Sequence, residues 1–367
     1  MIVAVLYYDD LMILDHKMRP YLTIGSIFIV FLLIITIFVP VSNAGLLDEK
    51  ETVRVAFIWQ RWDILDIPAK IGMFIYKRIL KQAESEYNVN FEVYEFWDRK
   101  HGGDVQSGKL ELLDIDVVVG PGGFGGWNSP KAYRTELRKF VRSGGGFYGI
   151  CGDSTFGSLG VVNLPAGFRV PLKKATGSKT LTPMLGLANV YTDASAFNEI
   201  LKYPFWIKKS DIIEIAGQLP ISRAPIKIEP SLVNIQEPYS GDRIRVMLGN
   251  APLVDGPIIF RLFMPKVYTI AEFKGTDEPY DKTLKGEKAM VATWYGKGKV
   301  VLSVVHPELT IGNTRAHDLF VRNLLWAAKS LPLKDRIISS LPLLVTLYNS
   351  KNIDHPLFWY LLITKDF

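Results

Sequence analysis

The chain has 367 residues, 48% of them hydrophobic, which is ample for a sizeable core and excludes a disordered or fibrous protein. Its formal charge of +6 comes from Lys and Arg placed singly or in pairs, so the charge reads as a solvated surface and no nucleic-acid partner is expected. One cysteine excludes an internal disulfide, and five scattered histidines offer no Cys/His spacing for a metal, so neither a metal nor another cofactor is expected.

Leu22 to Val39 is an uncharged apolar run of eighteen residues, preceded by Lys17 and Arg19 and followed by Asp48, Glu49 and Glu51. It is long enough to span a bilayer. Basic residues ahead of it predict a cytoplasmic stretch at 1–20, a single-pass transmembrane helix at 21–41, and an extracytoplasmic location for the rest. Ser42-Asn43-Ala44 puts small residues where a signal peptidase reads, so cleavage after Ala44, giving a secreted protein, stands beside retention as a signal anchor. The length of the run favours the anchor. Asp9, Asp10 and Asp15 precede the basic pair, and Met18 is an alternative start.

The globular part is expected over 52–330. Val53–Trp59 alternates and then runs apolar, as a first strand of an α/β sheet does. Ala69–Tyr87 carries Ile71, Phe74, Ile75, Ile79, Leu80 and Ala83 at helical spacing, with Asn88 placed to stop it. Phe91–Phe96 and Leu113–Val119 read as the second and third strands. The third ends in Gly120-Pro121-Gly122-Gly123-Phe124-Gly125-Gly126, which matches neither G-x-x-x-x-G-K-[ST] nor G-x-G-x-x-G and reads as a loop that approaches a ligand closely. Pro130–Arg142 is an amphipathic helix, and Phe147–Ile150 a buried strand. This order argues for a parallel, helix-covered sheet.

That last strand ends at Cys151, the only cysteine, and small residues after it would let the chain turn sharply, in the manner of the nucleophile elbow G-x-[SC]-x-G. Cysteine suits such a turn because a thiolate near a histidine attacks carbonyl carbon directly. The plain alternative is a small core residue. From about 160 to 287 Pro and Gly recur, with strand-like runs at Ile212–Ile215, Ile244–Leu248, Ile258–Phe263 and Val267–Phe273, read as an elaborated insert on the same sheet. Ala289–Pro307 then reads as a β-hairpin around Gly296-Lys297-Gly298, followed by His306, Pro307 and Glu308 and by a helix from Thr314 to Lys329. The tail at 331–367 is apolar and aromatic. Pro342, Pro356 and its charges argue against a second span, and it is expected to dock on the domain or lie on a membrane surface.

The stretches P-G-G, G-G-G-F-Y-G-I-C, D-G-P-I-I-F and Y-G-K-G-K-V-V-L-S-V-V-H-P-E-L, in that order between Val53 and Lys329, resemble the class I glutamine amidotransferase-like superfamily and, within it, the biotin-protein ligase N-terminal domain family. The resemblance implies a three-layer, flavodoxin-like, mostly parallel α/β fold. It makes Cys151 the nucleophile, His306 its base and later acid, and Glu308 the carboxylate that orients the imidazole, roles that agree with the chemistry of these groups. It places oxyanion and substrate contacts at Gly122, Gly123 and Gly152, with the backbone N–H groups of Gly123 and Gly152 as donors. The implied activity is hydrolysis of a small-molecule or peptide amide.

Three features depart from the pattern. Asp153 stands two after the cysteine, where the family carries glycine or another small residue, and an anion there disfavours a thiolate. No synthetase, ligase or ATP-binding segment follows, and an extracytoplasmic site would lack ATP, so a ligase is not expected. A non-catalytic module that keeps the cleft as a ligand-binding site is therefore the competing reading. His317 and His101 are expected at the surface, Ser154 to be no nucleophile, and Trp59, Trp62, Trp97 and Trp127 either to line a cleft or to pack in the core.

Overall fold

The computed structural model describes residues 50–60, 70–123, 126, 129–163, 175–176, 179–180, 184–196, 211–215, 235–275 and 284–330. The apolar run Leu22–Val39, the Ala44 position and the tail at 331–367 lie outside them. No helix among the described residues is long and apolar enough to cross a membrane.

The first half reads β1 (Glu51–Gln60), α1 (Lys70–Glu86), β2 (Val89–Asp98), α2 (Lys109–Leu112), β3 (Val117–Gly120), α3 (Lys131–Ser143), β4 (Gly146–Ile150) and α4 (Gly152–Gly157). The middle contributes β5 (Val161–Val162), β6 (Ala175–Thr176), β7 (Lys179–Thr180), β8 (Val190–Asp193), β9 (Asp211–Ile215), β10 (Arg243–Leu248), β11 (Leu253–Asp255) and β12 (Tyr268–Gly275). The last part holds β13 (Lys288–Tyr295), β14 (Gly298–Ser303), β15 (Val305–His306) and α5 (Thr314–Ala327).

Five strands lie in the order β2-β1-β3-β4-β14 with every neighbouring pair parallel. That is the 2-1-3-4-5 order of flavodoxin-like folds. Beyond β14 the direction changes: β13, β11 and β8 continue the sheet antiparallel, while β9, β10 and β12 pair among themselves and back to β13 and β15. The sheet is thus mixed, and the strands of the 160–287 stretch extend the same sheet.

Helices cover both faces of the parallel half, which is why β1 is buried from Val55 to Gln60 and β4 along its whole length, with no alternation to read. Tyr148 of β4 faces α1 and α5, where its ring lies 5.7 Å from Phe320, and Phe320 lies 5.6 Å from Tyr76. On the opposite face Phe147 meets Gly157 of α4, and Tyr133 of α3 stacks on Phe156 of α4 at 6.1 Å. Burying each such ring contributes about 1.5–3 kcal/mol, so both helical layers are fastened by their own aromatic contacts. Asn88, at φ +51°, turns the chain out of α1 in the left-handed conformation that Asn tolerates better than most residues.

Two expected strands come out differently. Leu113–Val119 becomes strand only at Val117, because Lys109–Leu112 coils into a helical turn and Asp114 takes φ +46°. Ile258–Phe263 is a 3-10 turn over Ile258–Leu262: Pro257, at φ −56°, starts the turn and accepts from the Phe260 N–H at 3.0 Å. Trp59 is core, buried and stacked 5.7 Å from Trp97, while Trp62 and Trp127 lie outside the described residues.

Candidate active site

Three strand tips meet at the carboxyl end of the parallel half, where open α/β sheets bind ligands. β4 ends at Cys151, whose backbone sits at φ 53°, ψ −119°, a strained position for a residue with a β-carbon. Only a sharp strand-to-helix turn demands it, and the turn lifts the side chain above the sheet. The Cys151 N–H donates to Ser303 O at 2.8 Å, tying this tip to the end of β14. Ser154 closes the turn from the other side, its N–H and hydroxyl both donating to Cys151 O at 3.1 and 2.5 Å. The Ser154 side chain is therefore occupied in shaping the elbow.

β14 delivers the histidine through an irregular step. Val304 breaks the strand, and β15 then pairs with β10 at Met247↔His306 and Leu248↔Val305. The carboxylate comes from the turn that follows the strand. Thr310 caps that turn: its hydroxyl donates to His306 O at 2.8 Å and accepts from Met247 N at 2.9 Å. His306 Nδ1 and Glu308 Oε1 are 2.6 Å apart, in a pocket where Glu308 is wholly buried. The Tyr76 hydroxyl donates to the same Oε1 at 3.1 Å, and Oε2 is buried with no hydrogen-bonding partner among the described residues. Burial and the neighbouring Glu308 push the Tyr76 phenol well up, so it remains a donor. Sequence reasoning missed Tyr76, which in α1 reads as one more apolar-stripe residue.

Electrostatics at His306 run in two directions. Burial works against its charge, but the Glu308 carboxylate and the neighbouring Cys151 sulfur outweigh it and push His306 up to about 10. The imidazolium is thus the favoured form at neutral pH. The Cys151 thiol also lies 3.2 Å from Gly249 O, to which it donates. Cys151, His306 and Glu308 are brought together as one cluster.

The Pro121-Gly122-Gly123 loop after β3 lies against the elbow. Gly122 and Gly123 take φ +111° and +98°. A β-carbon on Gly122 would stand 2.8 Å from Cys151 Cβ, and one on Gly152 would stand 1.7 Å from Gly123 O, so glycine is what lets loop and elbow interlock. The N–H groups of Gly123 and Gly152 meet no acceptor among the described residues. The Gly122 N–H is spent on Asp153 Oδ2 at 2.9 Å. Asp153 is itself buried in the crevice that Gly120 leaves open, so its carboxylate ties the loop to the elbow helix.

The remaining candidates lie elsewhere. His101 is exposed, whereas His317 is half-buried, with burial holding its pKa below the ordinary value. Asp318, its neighbour, accepts from Tyr87 and Tyr239 at 2.6 and 2.7 Å, which makes it a packing residue. Among the described residues no group of His, Cys, Asp and Glu could hold a metal ion.

No family model matches the chain, and no curated protein matches it. Among solved structures, a glutaminase domain of CTPS from Trypanosoma brucei with bound acivicin is similar at 13% identity and TM-score 0.42, over 76% of this chain and 95% of that one. A ThuA-like protein from Parabacteroides merdae is similar at 12% identity and TM-score 0.41, over 77% and 92%. A β-galactosidase from Rahnella sp. R3 is similar at 15% identity and TM-score 0.38 over 76% of this chain, which spans 32% of that enzyme. The fold assignment rests on the strand order and not on these likenesses.

Proposed function

We propose that the chain is a class I glutamine amidotransferase-like hydrolase of the biotin-protein ligase N-terminal-like kind, which cleaves a small-molecule or peptide amide through a Cys151 thioester. The observation that carries this reading is that the Cys151 thiol and the His306 imidazole both stand against the Gly249 backbone, the imidazole held by Glu308 at 2.6 Å, at the end of the sheet where open α/β folds bind ligands. In the proposed reaction the proton of the Cys151 thiol passes to the His306 imidazole, giving a thiolate beside an imidazolium, and the sulfur attacks the carbonyl carbon. The carbonyl electron pair moves onto oxygen, which the Gly123 and Gly152 N–H groups receive. The C–N bond breaks as the His306 imidazolium protonates the departing amine. The imidazole then takes a proton from water, whose oxygen attacks the thioester and releases the acid and the thiol. The Leu22–Val39 run makes a single-pass, extracytoplasmic protein the proposed setting, or a secreted one after cleavage at Ala44.

The competing reading is a ligand-binding module without turnover. The Sγ–H contact to Gly249 O at 3.2 Å favours it, because it holds the proton on sulfur. Iodoacetamide separates the two. A nucleophile predicts that native protein is alkylated at Cys151 about a hundredfold faster than His306→Ala, and that Cys151→Ser abolishes amine release from an amide panel. Equally slow alkylation of both proteins overturns the hydrolase. Unchanged ligand binding by Cys151→Ser, with no amine released by either form, establishes the module.

A further inference from the structure

We infer that Gly249 and Asn250, contributed by the insert, form a clamp on the nucleophile, with Asn250 the positioning residue that sets the elbow against His306. Asn250 is buried, and each of its polar groups is used. Its amide nitrogen donates to Cys151 O and to Thr155 Oγ1, both at 2.8 Å, so a single side chain grips the elbow at the cysteine and one helical turn further on. Its Oδ1 accepts from Ala251 N at 2.9 Å, which fixes the amide's orientation. The backbone is held equally firmly, because the Gly249 and Asn250 N–H groups both donate to Val304 O, at 3.1 and 2.8 Å, two residues before His306.

The same pair reaches the other partner. Gly249 O takes the thiol's hydrogen bond, and a β-carbon on Gly249 would stand 2.5 Å from His306 Cδ2 and 2.8 Å from Nε2. One edge of the imidazole, Cδ2 and Nε2, therefore stands close against the Gly249 backbone while the sulfur sits on its carbonyl. A segment bonded to the elbow, to the strand that carries the histidine and to the sulfur sets their separation. Within the elbow, only Ser154 shares the load on Cys151 O, and its bonds lie inside the turn and make no link to β14.

This inference rests on the proposed nucleophile, and the experiment keeps the two apart. Alkylation of Cys151 by iodoacetamide is compared in the full chain and in Asn250→Ala, His306→Ala and the double variant, with thermal melting as a check on folding. The clamp predicts that Asn250→Ala slows alkylation about tenfold or more. It also predicts that His306→Ala costs less than about threefold further in the Asn250→Ala background, a coupling that lost stability alone would not produce. Should Asn250→Ala not fold, Asn250→Asp keeps the acceptor for Ala251 N, removes the donor to Cys151 O, and is expected to slow alkylation likewise. Fast wild-type alkylation matched by either folded variant, or additive losses in the double variant, overturns the clamp and leaves the nucleophile standing. Wild-type alkylation no faster than that of His306→Ala overturns the nucleophile, and the clamp with it.

Discussion

In the parallel half of the sheet the strands act through what they project. β3 ends in a glycine loop, β4 in a strained cysteine, and β14 leads into a histidine whose carboxylate is two residues away. The antiparallel extension acts through backbone and one amide: Gly249 offers its carbonyl to the sulfur and its missing side chain to the imidazole, and Asn250 bridges two elements. In the proposed reading one half supplies the reacting groups and the other supplies their separation. Disturbing the second half should therefore damage reactivity while every reacting group is still present.

The sharpest way to break that division is Gly249→Ala. Its β-carbon has no room beside the His306 ring, so the imidazole must move, and a displacement of that kind is expected to slow Cys151 alkylation about a hundredfold with Cys151, His306 and Glu308 all still present. An alkylation rate within about threefold of wild type would mean that the extension is mere support. Glu308→Gln tests the parallel half in turn. It keeps the shape and the Tyr76 contact but removes the charge that outweighs burial at His306, and it is expected to slow alkylation about tenfold at neutral pH.

The same pair predicts a pH dependence of stability. His306 stands at about 10 in the fold against 6.5 as its ordinary value, so its contribution is complete below about 6.5 and is lost as the pH rises through about 10. Melting temperatures of wild type should fall across that window more than those of Glu308→Gln; parallel curves would remove the charge from the account. The smallest expected effect is that of Tyr76→Phe. Losing a hydroxyl that donates to a buried carboxylate should cost about 1.5–3 kcal/mol in a urea titration and change alkylation less than threefold. A larger kinetic than thermodynamic effect would place Tyr76 with the groups that set the geometry.

Much of the parallel half was legible in the sequence because periodicity and strand ends mark it. β1, α1, β2, α3, β4 and the β13–β14 hairpin lie where apolar spacing places them, and Cys151 and His306 are rare residue types at the ends of apolar runs, with Glu308 two residues on. The extension left little trace. Ile244–Leu248 and Val267–Phe273 could be read as strands, but nothing in a pattern says that the Gly249-Asn250 following one of them reaches a cysteine 98 and 99 positions earlier. Backbone carbonyls carry no residue signature, and asparagine after a strand reads as a turn. Pro257 set Ile258–Phe263 apart for a related reason: the apolar residues looked like strand, but a proline-started turn took them instead. Asp153 looked like a flaw in the elbow, and its contact with the Gly122 N–H could be known only once the two loops were placed side by side.

At the amino ends of the same strands, the end opposite the cysteine, Ser330 donates to the Glu51 carboxylate at 2.8 Å, so these two positions, 279 residues apart in the chain, stand side by side. A covalent bridge between residues 51 and 330, with new ends opened elsewhere, would leave the cleft unobstructed.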